Sequence, residues 1–430
     1  MDSLIIRGGG KLRGTIPISG AKNALLPIMV ASLLTKEEVC IENVPDLSDM
    51  QTLRALLVHM GVGVVYEGHR LVISGGKLSS HKAPYQWVSK MRAGFWIIAP
   101  LLAVYGKAEV SLPGGCAIGT RAVNFYLDAL AQMGAELALE EGYVKALAPN
   151  GLRGADIRLP FASVGTTHIL LMAGALAEGD TVIRNAACEP EVVALGEFLQ
   201  DMGADIEGLG SGEIRVRGVT TLKGASFRIA PDRIEAGSYA LAIAMSQGEG
   251  VLSGADISLI GALAPAMREG GAVLEDREGG LYVEMGGRPE PVTIVTAPYP
   301  GFPTDLQAQF MAWMSICKGE CAVQETIFEN RFMHVQELVR LGADIRLSGE
   351  LAHIRGVAEL YGARVMATDL RASMSLVIAA LFATGTTTIS RLYHLDRGFE
   401  TLEIKLHNAK ADIQRKREKG KSHETEIARS

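Results

Sequence analysis

The sequence predicts an α/β fold with mixed sheets, built from six β-α-β-α-β-β-like repeats set three to a domain. Three observations carry that expectation. A short phrase recurs about every seventy residues. Alternating apolar segments follow each copy of it. The 430 residues also exceed what one core comfortably holds, so two domains are expected. The phrase is an amphipathic segment closed by Met or Leu, then Gly and a small residue. It stands at Met60-Gly61-Val62, Met133-Gly134-Ala135, Met202-Gly203-Ala204, Gly270-Gly271-Ala272 and Leu341-Gly342-Ala343. A degenerate sixth copy lies at Asn408-Ala409-Lys410.

Within each unit the elements follow from local chemistry. The glycine ends a helix, where a residue tolerant of positive φ is needed. A hairpin follows, as in Ala343 to Leu347, the turn Ser348-Gly349-Glu350, and Ala352 to Arg355. A small-residue helix comes next, such as Ser373 to Ala383, and a Gly-Thr turn feeds a strand such as Thr386 to Ile389. The connection after each such turn is polar: Asp49, Cys116 with Arg121, Glu189 with Glu191, Glu329-Asn330-Arg331, and Asp396-Arg397. Loops at equivalent places in symmetric repeats gather at one end, so these residues are expected to meet in one cleft.

Composition narrows the function. Basic and acidic residues number 42 and 48, which gives no basic excess for nucleic acid to read. A few convergent arginines can still bind an anion. The five cysteines, at positions 40, 116, 188, 317 and 321, are odd in number and show no C-x-x-C pair, which argues against a disulfide framework or zinc site. The histidines show no H-E-x-x-H spacing. No signal-peptide pattern opens the chain, and apolar runs such as Gly94 to Gly106 are too short to span a bilayer. A reducing cytoplasm is the expected location, with neither membrane nor nucleic acid as partner. Gly8-Gly9-Gly10 precedes no nucleotide-binding helix and is discounted as a dinucleotide motif.

Several motifs point further. They are Ser19-Gly20-Ala21-Lys22-Asn23-Ala24, Leu112 to Gly119 around Cys116, Pro231-Asp232-Arg233-Ile234-Glu235, and Phe302 to Phe310 around Asp305. Glu329-Asn330-Arg331-Phe332-Met333-His334, Thr368-Asp369-Leu370-Arg371-Ala372-Ser373 and Asp396-Arg397-Gly398 complete the set. Together, and in this order, they resemble the UDP-N-acetylglucosamine 1-carboxyvinyltransferases of the enolpyruvyl transferase family. The resemblance implies a two-domain inside-out α/β barrel, with helices inside and sheets outside. It places crossings near Lys22 and near residue 230, and hence domains of residues 22–229 and of 1–21 with 230–410. Residues 411–430 are too polar to pack and are expected to form a flexible tail.

The implied reaction is transfer of the enolpyruvyl group of phosphoenolpyruvate to the 3-hydroxyl of UDP-N-acetylglucosamine, with release of phosphate. It proceeds by addition and elimination through a tetrahedral ketal, without metal or organic cofactor, and is the first committed step of peptidoglycan synthesis. The donor carries a carboxylate and a phosphate, so fixed cations are required. By resemblance Lys22, Arg121 and Arg397 face the phosphate, Arg331 and Arg371 hold the carboxylate, and Asn23 also lies at the donor. Cys116, on a loop that Pro113, Gly114 and Gly115 make mobile, is implied to protonate the enolpyruvate carbon or assist product release, and to be alkylated by fosfomycin. Asp305 is implied to be the general base. The acceptor is expected to touch Asn23, Arg92, Arg121, Ala122, Val123, Asn124, Phe125, Ser163, Val164, Gly165, Asp305 and Ile327. Asp49 and Asp369 read as residues that orient these groups.

One stretch departs from the family. Where the family usually reads Arg-Pro-Val-Asp, this chain has Arg121-Ala122-Val123-Asn124. The proline and aspartate are implied to contact the uracil, so recognition of the acceptor's base is altered here. Two other readings therefore stay open: an enolpyruvyl transferase with another acceptor, such as UMP or 3-phosphoshikimate, and a non-catalytic nucleotide-sugar-binding paralogue.

Overall fold

The computed structural model describes residues 2–75, 78–114 and 123–417. Their strands form six four-stranded sheets with one shared plan. In each, a hairpin or its equivalent pairs antiparallel with a third strand, and a fourth strand joins that strand in parallel. The repeat predicted from the sequence is thus a sheet repeat. The phrase that marks it behaves as helix chemistry requires: Gly61, Gly134, Gly203, Gly271 and Gly342 all take φ between 92° and 102°. In the degenerate copy Lys410 occupies the same place and adopts φ 74° without a glycine.

That sixth copy is degenerate for a structural reason. Asp412–Lys416 is its first hairpin strand, and the chain's own start, Ser3–Arg7, supplies the second. Ser3–Arg7 then pairs antiparallel with Thr386–Ser390. Residues 412–416 were expected to fray with the tail. They instead form an edge strand with Ile413 buried, because a partner nearly the whole chain away offers its backbone groups. Local composition carries no sign of that pairing.

The apolar residues fall into two cores. One gathers residues 21–229, and the other gathers 4–18 with 234–413. Helices lie inside and sheets outside in both. The helices Lys22–Ala31, Val164–Gly174, Arg233–Met245, Thr304–Met314 and Leu370–Phe382 are buried over most of their surface. A helix apolar all round has no solvent face to present. Small residues let these helices approach closely: a Cβ on Gly237 would come within 2.7 Å of Leu306 and 3.0 Å of Leu263. The strands alternate, as Leu351–Arg355 shows with Ala352 and Ile354 buried and His353 and Arg355 exposed. Among the described residues, no helix is long and apolar enough to cross a membrane.

The chain passes between the cores twice, and the two passages are tied together. Asp232 N–H donates to the Ser19 carbonyl at 2.8 Å, and Ala21 N–H to the Ala230 carbonyl at 2.8 Å. The Asp232 carboxylate caps the Arg233–Met245 helix by accepting from the amides of Ile234 and Glu235, and it also accepts from the Lys22 amide at 3.2 Å. Beside them Glu235 is fully buried. It accepts from Ser19 N–H at 2.6 Å and from Lys405 Nζ at 2.8 Å. Lys405 also donates to Ser19 Oγ, which donates to Glu400, and Glu400 accepts from the Asp46 amide.

Burial pushes the Glu235 carboxyl up from 4.5 to about 7 despite the Lys405 ammonium. A raised folded-state value means that the folded chain holds a proton the unfolded chain has lost between these pH values. The stability it contributes is full below pH 4.5 and is lost as pH rises through about 7. Denaturant midpoints measured across that window for the wild type and Glu235→Gln are expected to diverge. The variant should lack this part of the decline with rising pH.

Candidate active site

The polar residues flagged in the sequence converge because of where the central helices begin. Lys22 and Arg233 are the first residues of their helices, and Asp305 and Arg371 the second of theirs. Arg92 opens the 3-10 turn Arg92–Ile97, and Ser163 caps Val164–Gly174. Five of these six elements therefore start at a candidate site residue, and the sixth starts at Arg233. Their amino termini add partial positive charge to the same region.

A second set comes from the polar connections. Asn43, Asn185 and Arg391 each follow an outer strand in left-handed conformation. Asp49, Glu191 and Arg397 lie at one identical step beyond them. Asp49 and Glu191 belong to the part of the chain around one core, Arg397 to the part around the other. Equivalent positions thus carry acids on one side and an arginine on the other.

Two carboxylates organise the cations. Asp49 is 2.9 Å from Lys22 Nζ and 2.8 Å from Arg397 Nε, with Arg397 Nη2 at 3.3 Å. Asp305 accepts from Arg331 Nη2 at 2.8 Å and from Arg371 Nη2 at 2.7 Å, one oxygen to each. The two clusters are close enough for the charges of Arg397 and Arg371 to act on Lys22. Burial pushes the Lys22 ammonium below its usual range; Asp49 opposes that shift, and the two arginines reinforce it. Burial would raise Asp49, but the charges of Lys22 and Arg397 outweigh it and hold the carboxyl below its usual value. Asp369 caps the Leu370–Phe382 helix by accepting from the amides of Arg371 and Ala372 at 2.8 and 3.1 Å, which sets the angle at which Arg371 leaves the backbone.

Several of the expected acceptor contacts lie together. Arg92 Nε donates to Tyr126 Oη at 3.3 Å, and its guanidinium lies 5.4 Å from the centre of that ring. Tyr126 packs so tightly on Gly165 that a Cβ there would come within 2.3 Å of the hydroxyl. Phe125 meets Phe161 edge-on with ring centres 5.0 Å apart. Val123 and Asn124 open the Asn124–Gln132 helix beside them. Ser163 Oγ accepts from Thr166 N–H, and Val164 begins the helix it caps. Ile327 lies on the Asp305 side: its amide donates to Glu325 Oε1, while Glu325 Oε2 accepts from Thr304 Oγ1, next to Asp305. Asn23, half-buried, follows Lys22. Cys116, Arg121 and Ala122 lie outside the described residues.

Sequence reading passed over one buried pair. Arg233 Nε and Nη2 reach the two oxygens of Glu191 at 2.9 and 3.2 Å, a two-point bridge between the parts of the chain that hold the two cores. Glu191 had been noted only as a polar loop residue. Its position, equivalent to Asp49, was the available signal.

A small set of fixed guanidiniums and one ammonium, ringed by helix amino termini, has the chemistry to hold a compact anion that carries more than one acidic group. The comparisons with known proteins agree with that class. Residues 6–406 match the family model described as EPSP synthase (3-phosphoshikimate 1-carboxyvinyltransferase). The chain belongs to that family of carboxyvinyl transferases. More particularly, it is 54% identical over 426 residues to proteins of Brucella ovis and Brucella canis named UDP-N-acetylglucosamine 1-carboxyvinyltransferase, covering 96% of this chain and 99% of each relative. Among solved structures it resembles the enolpyruvyl transferase NikO from Streptomyces tendae, with TM-score 0.87, 22% identity and coverage of 96% and 98% of the two chains. It also resembles an EPSP synthase from Acinetobacter baumannii, with TM-score 0.74, 18% identity and coverage of 97% and 100%. These two likenesses bear on the fold, which is the inside-out α/β arrangement expected.

Removing Asp49 would take away the carboxylate that Lys22 and Arg397 share. Asp49→Ala is expected to destabilise the fold by about 3 kcal/mol, the low end for a broken buried pair because Arg397 is one-third exposed. Thermal unfolding with and without the substitution measures this.

Proposed function

We propose that this chain transfers the carboxyvinyl group of phosphoenolpyruvate to the 3-hydroxyl of UDP-N-acetylglucosamine, releasing inorganic phosphate. The observation that carries the reading is the paired arrangement of cations. Lys22 and Arg397 share one carboxylate, Arg331 and Arg371 share another, and the two pairs lie within electrostatic reach. A phosphate and a carboxylate on one three-carbon donor give each pair one acidic group to bind. The relatives at 54% identity supply the acceptor.

On this reading the residues take the following parts. Lys22, Arg397 and Arg121 hold the donor phosphate, and Arg331 and Arg371 its carboxylate, with Asn23 between donor and acceptor. Asp305 takes the proton from the acceptor hydroxyl as that oxygen bonds to the central carbon of the donor. The methylene carbon gains a proton, to which Cys116 contributes, and a tetrahedral ketal results. The Cys116 thiolate then takes a proton back from the methyl group, the double bond re-forms, and phosphate leaves with the proton that Asp305 held. Preorganised cations stabilise the charge that builds on the departing phosphate. Arg92, Val123, Asn124, Phe125, Ser163, Val164, Gly165 and Ile327 hold the nucleotide sugar. Residues 22–229 and 1–21 with 230–410 act as two domains that close over both substrates and exclude water. Fosfomycin reacts with Cys116.

Phosphate release is the test. Robust release from phosphoenolpyruvate with UDP-N-acetylglucosamine, and none with UMP or 3-phosphoshikimate, is expected. Release with UMP alone would overturn the choice of acceptor, and the altered stretch at Ala122 and Asn124 would be its source. Arg331→Ala should lower kcat/KM at least a hundredfold, as loss of a charge-assisted contact made to the reacting donor.

A further inference from the structure

Asp305 is held by the same two residues that, on the reading above, receive the donor's carboxylate. Its oxygens are split between them, Oδ1 on Arg331 and Oδ2 on Arg371. The side chains of the two arginines are 3% and 6% exposed, whereas that of Asp305 is 26% exposed. The guanidiniums are therefore the fixed part of the cluster, and the aspartate is the part with room to move. Asp49, at 6%, lacks such room and is gripped by both Lys22 and Arg397.

This arrangement places a restriction on the base. Two buried guanidiniums side by side are strongly unfavourable without an anion between them. Asp305 can leave them only as another carboxylate arrives, and the donor brings one. While it stays, each of its oxygens is committed to a guanidinium instead of to the acceptor. We propose that donor binding exchanges one carboxylate for another at Arg331 and Arg371, releasing Asp305 toward the acceptor hydroxyl only once the donor is seated. The exchange conserves the net charge of the cluster, so no cation is left bare at any stage. It also ties proton removal to the presence of something for the resulting oxygen to attack. This inference rests on the proposed donor site and adds an order of events to it.

Calorimetry on the full chain without acceptor tests the exchange, using phosphoenolpyruvate, pyruvate and inorganic phosphate as separate probes. Asp305→Asn removes the competing charge while keeping the shape. It is expected to bind phosphoenolpyruvate and pyruvate roughly tenfold more tightly than the wild type, as befits loss of one competing charge-assisted partner. Its affinity for inorganic phosphate should not change, and its turnover should be lost. Asp305→Glu, which restores the charge, should return carboxylate affinity toward the wild-type value. Unchanged or weaker pyruvate binding by Asp305→Asn would overturn the exchange. In the wild type itself, saturating pyruvate is expected to tighten UDP-N-acetylglucosamine binding severalfold; no such coupling would also overturn it. If the wild type bound no phosphoenolpyruvate and released no phosphate with any acceptor, the functional reading would fall, and the exchange with it.

Discussion

Buried cations need partners, and that requirement shapes the centre of this molecule. Lys22, Arg331 and Arg371 are all nearly inaccessible to water, and Arg397 is two-thirds covered. A charge taken out of water is tolerable only when paired and hydrogen-bonded. Asp49 and Asp305 meet that need, each by holding two cations at once. The cost of assembling like charges is thus met by two carboxylates during folding, and the cations are left aimed at a common space. A donor with two acidic groups can then bind to cations that are already in place.

The repeat explains how one chain places so many charged groups together. Every central helix begins at the same end of its unit, so a residue at its first or second position faces the same region whichever repeat supplies it. The polar connections add a second ring by the same logic, with Asp49 and Glu191 opposite Arg397 and Arg233. Each of these bridges links parts of the chain built around different cores, so charge complementarity between the two halves and construction of the site are one and the same feature. The hydrogen-bonded crossing at Ser19, Ala21, Ala230 and Asp232 keeps the halves in register beside it.

Much of this was legible in the residues. The recurring Met-Gly phrase announced six units because a helix that must end at positive φ leaves a glycine behind, and five of the six sites obey. Lys410 shows the limit: there the backbone keeps its conformation while the residue that signals it is gone. The edge strand Asp412–Lys416 was illegible for a different reason, since it depends on Ser3–Arg7 and no local pattern encodes a partner so distant. At the site, Lys22, Asp305, Arg331, Arg371 and Arg397 were identifiable through motif resemblance. Their division into two pairs was not, because it depends on which carboxylate each cation reaches in space. The Glu191–Arg233 bridge escaped notice since each residue alone reads as an ordinary surface charge.

The central claim is that the two cation pairs receive the two acidic groups of one donor. A crystal structure of the chain with phosphoenolpyruvate and UDP-N-acetylglucosamine tests it most directly. The account expects the donor carboxylate within about 3 Å of Arg331 and Arg371, and the phosphate equally near Lys22 and Arg397. A donor bound in the reverse sense, or away from these four residues, would contradict it.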